Sequence, residues 1–151
     1  MGAHDFDFWL GEWECSWAEG GRGRNTVTSV LGGCVVYERF DGRPGVDLAG
    51  WSVSVHDEVE GVWRQTWVDD DGNYFALEGG MRDGAMELVT TDGLHRMRFE
   101  NIERHSFDWS WARRNGDGWE TLWEIAYARA ARTAGSRSDS AATSASSAIP
   151  G

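Results

Sequence analysis

Short runs of alternating apolar and polar residues, separated by glycine- and aspartate-rich breaks, extend through the chain from residue 7 to residue 128. A period of two is typical of half-buried β-strands, and breaks such as Asp71-Gly72-Asn73 supply residues that tolerate the positive φ of hairpin turns. Helical periodicity is nearly absent. The pattern predicts strands at 11–17, 25–31, 34–40, 48–56, 62–68, 73–79, 85–91, 94–100, 106–113 and 119–128.

Ten strands joined by hairpins make a sheet too long to lie flat, and closure into a barrel removes its exposed edges. We therefore expect an all-β fold: a single up-and-down antiparallel barrel over residues 1–129, with a short N-terminal helix around Asp5 to Leu10. Residues 130–151 are rich in Ser and Ala and contain no aromatic residue. Such a segment cannot bury enough apolar surface to order itself, so we expect a disordered tail.

Charge and composition exclude several classes of function. All 14 basic residues are Arg, and with 25 acidic residues the formal net charge is -11. This field repels phosphate backbones, so no nucleic-acid partner is expected, and the absence of Lys excludes Schiff-base catalysis. No apolar run approaches the roughly 18 residues of a membrane helix. With no signal segment at the N-terminus, we expect a cytoplasmic protein with no membrane partner and with reduced thiols.

Aromatic residues are abundant, with ten Trp, six Phe and three Tyr, and strand parity places many of them on one face. We expect that face to line the barrel interior, where it either fills the barrel or walls a ligand cavity. The residues expected to contact a ligand are Trp51, Trp63, Gln65, Trp67, Trp109, Trp111, Arg113, Trp123 and Tyr127.

Two of these residues are polar. Gln65 lies between Trp63 and Trp67 on one face, and a buried amide needs a hydrogen-bond partner. That partner is a ligand, a water molecule or a cross-strand group such as Arg113 or Thr121. Arg113 itself either anchors an anionic group of the ligand or packs beneath Trp13.

The segment Phe8-Trp9-Leu10-Gly11-Glu12-Trp13 resembles the start of the calycin superfamily, which includes lipocalins and fatty-acid-binding proteins. The resemblance implies that Trp13 closes one barrel end against Arg113 or Arg129. The runs DFDFWLGEWECSW, NTVTSVLGGCVVYERFDG, SVSVHD and GVWRQTWVDDDGNY also resemble an uncharacterised bacterial family of small calycin-like barrels, over residues 5–128. This resemblance implies a fold and no established activity.

Two titratable residues are candidate catalytic groups. An inward-facing Glu38 would have a raised pKa and act as a general acid or base, although the abundance of exposed Glu in proteins favours a solvated carboxylate at this position. His95 shares a face with Met97 and Phe99. It is either a base, a haem ligand as in the ten-stranded nitrobindin barrels that this outline also resembles, or, as we favour, a ring bonded to backbone.

No metal is expected, because the chain lacks His-x-His and Cys-x-x-Cys spacings. Cys15 and Cys34 are interpreted as small core residues, and whether they pair is open. The sequence predicts binding of a small, largely apolar or aromatic molecule without a cofactor. One alternative is a cofactor-free cyclase or isomerase of bacterial secondary metabolism, and a second is a haem-binding barrel. Enzymatic activity and oligomeric state are left open.

Overall fold

Ten antiparallel strands form one closed barrel in the computed structural model, which describes residues 2–131. Each strand pairs with its neighbours in the chain, and the last strand pairs back with the first. The all-β, up-and-down barrel predicted from the sequence is therefore confirmed. The strands are β1 (Gly11–Trp17), β2 (Gly21–Val30), β3 (Val35–Asp41), β4 (Ala49–Asp57), β5 (Val62–Asp69), β6 (Tyr74–Arg82), β7 (Ala85–Thr90), β8 (His95–Glu100), β9 (Ser106–Asn115) and β10 (Gly118–Arg129).

The predicted strands agree with these bounds to within two residues except at β2, which begins four residues earlier than expected, and at β6, which ends three residues later. Gly21 and Gly23 face inward there and carry no side chain that an apolar pattern can register. A Cβ at Gly21 would overlap the Trp17 ring, so glycine is required for this close approach. The expected N-terminal helix is only a single 3-10 turn, Asp7–Trp9. The disordered tail expected at 130–151 falls outside the described residues, apart from its first two positions.

One end of the barrel is closed by the segment that precedes β1. Phe6 and Trp9 are fully buried, and their rings pack against aromatic residues from the ends of the strands. The Phe6 ring lies 5.0 Å from Trp63 and 5.3 Å from Phe99, both edge to face. Such pairs add to the stabilisation from burial alone, so this aromatic plug fixes the closed end.

Trp13 and Arg129 are cross-strand partners at this closed end. The Arg129 guanidinium lies 4.2 Å from the centre of the Trp13 ring. Its Nη1 donates to the carbonyl oxygen of Leu10 at 2.7 Å, and the Trp13 indole donates to the carbonyl of Trp9 at 2.8 Å. Arg129 therefore holds the 3-10 turn and β1 together. Arg113 does not take this position, since it lies at the opposite end of the barrel.

The inward face of β4 is the opposite of the one predicted. Ser52 and Ser54 are buried, whereas Val53 is 46% exposed. Trp51 accordingly lies on the outer face, where its ring packs edge to face on Tyr37 at 6.0 Å. The interior positions of β4 are small because large rings from β5 occupy the space: a Cβ at Gly50 would overlap Trp67. The prediction that Trp51 lines the interior is therefore wrong.

Candidate functional site

A cavity of about 210 Å³ lies between the aromatic plug and the opposite end of the barrel. Five connections meet at that opposite end, which we call the mouth: residues 18–20, 42–48, 70–73, 91–94 and 116–117. The cavity reaches the mouth, because Leu48 and Asn73 from these connections are among its lining residues. The full lining is Trp9, Glu38, Phe40, Leu48, Trp67, Asp69, Asn73, Phe75, Leu77, Met97, Trp109, Trp111, Trp123, Ile125 and Tyr127.

Much of the cavity wall is built from aromatic rings. Trp123 packs perpendicular to Trp109 at 5.9 Å and to Phe40 at 6.0 Å. On the other side, Phe75 lies 5.1 Å from Trp111. These rings are only partly buried except for Phe40, so faces and edges remain available to a bound molecule. An apolar or aromatic group entering from the mouth would replace water on these surfaces.

Glu38 supplies a carboxyl group to the interior of this largely apolar cavity. It is 6% exposed and projects inward from β3. Ser52 Oγ donates to Glu38 Oε1 at 2.6 Å, and Asn25 Nδ2 donates to Glu38 Oε2 at 2.7 Å. A carboxylate has about four lone-pair sites, so each oxygen can still accept a hydrogen bond from a ligand. The expectation of a solvated Glu38 is wrong, because the partners that make burial tolerable come from the two neighbouring strands.

Glu38 belongs to a polar belt that crosses five adjacent strands. Asn25 Nδ2 also donates to the Tyr127 hydroxyl at 2.9 Å, and the Tyr127 hydroxyl contacts the Cys15 thiol. The members of the belt are Ser52 on β4, Glu38 on β3, Asn25 on β2, Cys15 on β1 and Tyr127 on β10. Each strand contributes one inward polar group, and the hydrogen bonds of the belt join these side chains to one another. One buried atom of the belt, Asn25 Oδ1, has no hydrogen-bond partner among residues 2–131.

Burial dominates the titration behaviour of the belt. It raises the pKa of Glu38 to about 7, although the hydrogen bonds from Ser52 and Asn25 act in the opposite direction. Burial also raises the pKa of Cys15 to about 12 and the pKa of Tyr127 well above its ordinary value. Cys15 and Tyr127 are therefore neutral near pH 7, and Glu38 is the member of the belt that titrates there.

Asp69 provides a second carboxylate, at the rim of the cavity. It accepts hydrogen bonds from the Trp67 indole at 2.9 Å and from the side-chain amide of Asn73. Partial burial acts to raise the pKa of Asp69, but these hydrogen bonds, together with those from the backbone N–H groups of Asn73 and Asp71, outweigh it and hold the pKa below its usual range. Asp69 is thus ionised near neutral pH and orients the Trp67 ring in the wall.

Six of the residues predicted for the site do line the cavity: Glu38, Trp67, Trp109, Trp111, Trp123 and Tyr127. Two others lie deeper. Trp63 is buried against the aromatic plug, and Gln65 donates from Nε2 to Ser54 Oγ at 2.9 Å. The amide of Gln65 thus has a cross-strand partner, and that partner is Ser54 rather than Arg113 or Thr121.

Arg113 and His95 lie near the mouth but outside the lining. Arg113 Nε donates to Glu120 Oε1 at 2.9 Å in an exposed ion pair. The His95 ring stacks on Trp111, with ring centres 5.0 Å apart and an interplanar angle of 4°. The same ring lies 5.8 Å from Phe75, so His95 packs beside two rings of the cavity wall. Its backbone N–H donates to Thr90 Oγ1 at 2.9 Å.

Several functional residues carried no signal in the sequence pattern. Asn25 and Ser52 resemble ordinary polar residues in half-exposed strands, and their roles depend on Glu38. Trp9 lines the cavity, and its indole nitrogen lacks a hydrogen-bond partner among residues 2–131. The cysteines differ from the expectation of two core residues: both thiols are free, and Cys34 is exposed whereas Cys15 is buried.

The chain matches no known protein-family model, and its sequence matches no curated protein. Within residues 2–131, no helix has the length and apolar character needed to cross a membrane. The same residues hold no group of three or more His, Cys, Asp or Glu side chains arranged to bind a metal ion. The cavity and its polar belt are therefore the features from which function is inferred.

Proposed function

We propose that this protein is a calycin-like barrel that binds a small, largely apolar or aromatic molecule in its cavity. The observation that carries the proposal is a space walled by aromatic rings, closed at one end by the plug and reaching the mouth at the other. A cytoplasmic location, expected from the sequence, forms part of the proposal, and the two free thiols agree with it.

The cavity dimensions favour a compact ligand. A volume of about 210 Å³ is below the range of roughly 300–1,000 Å³ that holds drug-sized molecules, so a single ring with a short side chain is a suitable size. The aromatic wall would contact the apolar part of that ligand. Its polar end would meet Glu38, whose carboxyl oxygens retain free lone pairs.

Calorimetric titration with 2-phenylethanol and with indole tests this proposal. We expect both compounds to bind the wild-type protein at one site, and we expect Trp109→Ala to weaken the affinity by about tenfold, because it removes an aromatic surface from the wall. The matched control is Trp119→Ala. Trp119 carries the Arg114 guanidinium 4.4 Å from its ring centre and is not among the lining residues.

Trp119→Ala is expected to leave both affinities unchanged. Equal losses of affinity in Trp109→Ala and Trp119→Ala would place the binding site elsewhere. Failure of the wild-type protein to bind either compound, or the protonated amine of the same size, would overturn the proposal.

A second candidate function, cofactor-free isomerisation or cyclisation, is favoured by Glu38 alone. A carboxyl group with a pKa of about 7 in a mostly apolar cavity is matched to proton transfer near neutral pH. In this scheme the ionised carboxylate removes a proton from a carbon next to a carbonyl and returns one at another position. His95, Gln65 and Arg113 lie outside the cavity lining, so the acid–base role would fall to Glu38.

Deuterium exchange tests this second candidate with phenylacetone as the probe. Glu38 would take up an α-proton of the ketone and, after exchange with D₂O, return a deuteron. Proton NMR should then show loss of the α-proton signal with wild-type protein and no acceleration with Glu38→Gln. Exchange at the same rate in both proteins would reject catalysis by Glu38.

The haem-binding alternative fits the described residues poorly. The proposed ligand His95 is stacked on Trp111 and is not part of the cavity lining. The cavity volume of about 210 Å³ is also smaller than the volume that holds a drug-sized molecule, and a porphyrin is larger than such a molecule. A Soret band in the purified protein would support haem binding.

A further inference from the structure

The cavity lining combines aromatic faces with acidic side chains. Of its fifteen residues, two carry carboxylates, Glu38 and Asp69, and none is Arg or His. A site built for an anionic or neutral polar ligand would be expected to present a basic group or several amide donors. This lining instead places a carboxylate at the rim, where Asp69 lies, and another deeper in the cavity, where Glu38 lies, so both positions have negative potential.

The mouth carries the same sign of charge. Its five connections contain six acidic residues and a single Arg. That residue, Arg43, is paired with Asp41 at 2.9 Å, which reduces its contribution to the local field. The acidic residues in these connections are Glu19, Asp47, Asp70, Asp71, Asp92 and Asp117. At the adjoining strand ends, Arg113 is paired with Glu120 and Arg114 packs on Trp119, so acidic residues remain in excess around the mouth. A ligand approaching the cavity therefore crosses a region of negative potential, which concentrates cations.

Aromatic walls and carboxylates together match one chemical class. The face of an indole ring carries negative potential, and an ammonium group within about 6 Å of its centre is attracted to it. A primary ammonium also has three N–H donors and no acceptor, which suits the free lone pairs of an ionised carboxylate. Here Trp67, Trp109, Trp111 and Trp123 supply the rings, and Glu38 supplies the carboxylate.

We propose that the ligand of this cavity is a small organic cation, an aromatic or aliphatic amine whose ammonium group lies against the Trp wall with Glu38 as its counter-ion. This inference rests on the proposed binding function and narrows its ligand class. It does not depend on the barrel being an enzyme.

The counter-ion role predicts a coupling between binding and proton release. The groups that face Glu38 from the neighbouring strands are Ser52 and Asn25, followed by Tyr127 and Cys15 across the belt, and none of these four is charged near pH 7. The incoming cation would be the positive group in contact with Glu38. It favours the ionised carboxylate, so the affinity for a cation should rise as the pH rises through about 7.

The test compares 2-phenylethylammonium, which stays protonated over the pH range used, with the neutral and nearly isosteric 2-phenylethanol. At about pH 8 we expect the amine to bind at least about tenfold more tightly than the alcohol. At about pH 6, where most Glu38 is protonated, the affinity for the amine should fall by about tenfold, and that of the alcohol should stay constant.

Two variants separate the role of Glu38 from general charge effects. Glu38→Gln should remove the pH dependence of amine binding and reduce the preference for the amine. Glu12→Gln removes an equal charge from an exposed position on β1 and should behave as the wild-type protein does. The wild-type pH series stands by itself should Glu38→Gln fail to fold.

Alcohol binding as tight as amine binding at pH 8 would overturn the cation inference and leave the proposed binding function intact. A preference for the amine that persists unchanged in folded Glu38→Gln would overturn the counter-ion assignment. Failure of both the amine and the alcohol to bind, together with failure of indole, would contradict the inference and the binding function alike.

Discussion

Glu38 is a carboxyl group that the fold removes from water while supplying it with two hydrogen-bond donors. Burial raises its pKa from an ordinary value of 4.5 to about 7, and the hydrogen bonds from Ser52 and Asn25 offset only part of that effect. The folded state therefore binds this proton more tightly than the unfolded state does. The resulting stabilisation is fully present below about pH 4.5 and is lost as the pH rises through about 7.

Glu38→Gln should remove this source of pH dependence. Relative to the wild-type protein, the free energy of unfolding of the variant should improve by about 3 kcal/mol between about pH 4.5 and pH 8, because Gln has no proton to lose. Urea unfolding followed by tryptophan fluorescence at several pH values measures the difference between the two proteins. Any hydrogen bonding lost in Glu38→Gln lowers its stability by the same amount at every pH. That loss therefore does not alter how the difference in stability between the two proteins changes with pH.

Glu12→Gln serves again as the control, since its side chain is exposed and its replacement should give no such trend. A difference between wild type and Glu38→Gln that stays constant from pH 4.5 to pH 8 would show that Glu38 titrates normally in the folded protein.

At the level of elements, β1 and β4 each carry a tryptophan in a strand of alternating pattern, but on opposite sides of the barrel wall. Trp13 on β1 is 1% exposed and contacts Phe107 edge to face at 4.9 Å, with Arg129 over its ring. Trp51 on β4 lies on the outer face against Tyr37. Both residues are tryptophan, so the difference between the stabilities lost on replacing each with Ala measures what burial in the barrel interior contributes.

Trp13→Ala should reduce the free energy of unfolding by roughly 3–5 kcal/mol, because it leaves a cavity in the closed end and removes the ring beneath Arg129. Trp51→Ala should cost only about 1 kcal/mol, as expected for a partly exposed side chain. Guanidinium unfolding monitored by far-ultraviolet circular dichroism gives both values without relying on tryptophan emission. Similar losses in the two variants would contradict the assigned orientation of β1 or of β4.

At the scale of the whole molecule, the plug closes one end of the barrel and the acidic mouth gives access at the other. The chain carries a formal net charge of -11, and the connections around the mouth share that sign. Long-range attraction of this kind acts over about 10 Å in 0.1 M salt and is weakened when the ionic strength increases. Contact between an ammonium group and the buried Glu38 is screened much less.

Raising the salt concentration from about 0.05 M to about 0.5 M should therefore weaken binding of 2-phenylethylammonium by about two- to threefold. The affinity for 2-phenylethanol should not fall, because a neutral ligand does not respond to the field of the mouth. Calorimetric titrations of both compounds in the same buffers provide the comparison. A parallel decline for amine and alcohol would indicate a general salt effect on the protein and would remove the mouth as a source of cation attraction.

The sequence by itself determined the strands, the turns and the closure of the barrel, since these depend on signals that are local in the chain. Alternating side chains define a strand, and Gly and Asp at the breaks define hairpins, so the order of ten strands follows without knowledge of the core. The resemblance of the segment around Trp13 to the calycin superfamily also implies that Trp13 closes one end. The choice between Arg113 and Arg129 required the cross-strand register that places Arg129 opposite Trp13.

Only the tertiary structure decided which polar groups form the site. Asn25 is 13 residues from Glu38 and 102 residues from Tyr127 in the chain, yet its amide donates to both. A buried glutamate is tolerated only where hydrogen-bond donors surround its carboxyl group. The residue pattern of β3 contains no information about the donors that β2 and β4 supply. Neighbouring strands likewise decide which face of β4 points inward. Its small inward residues make room for rings from β5, and its apolar side chains face outward.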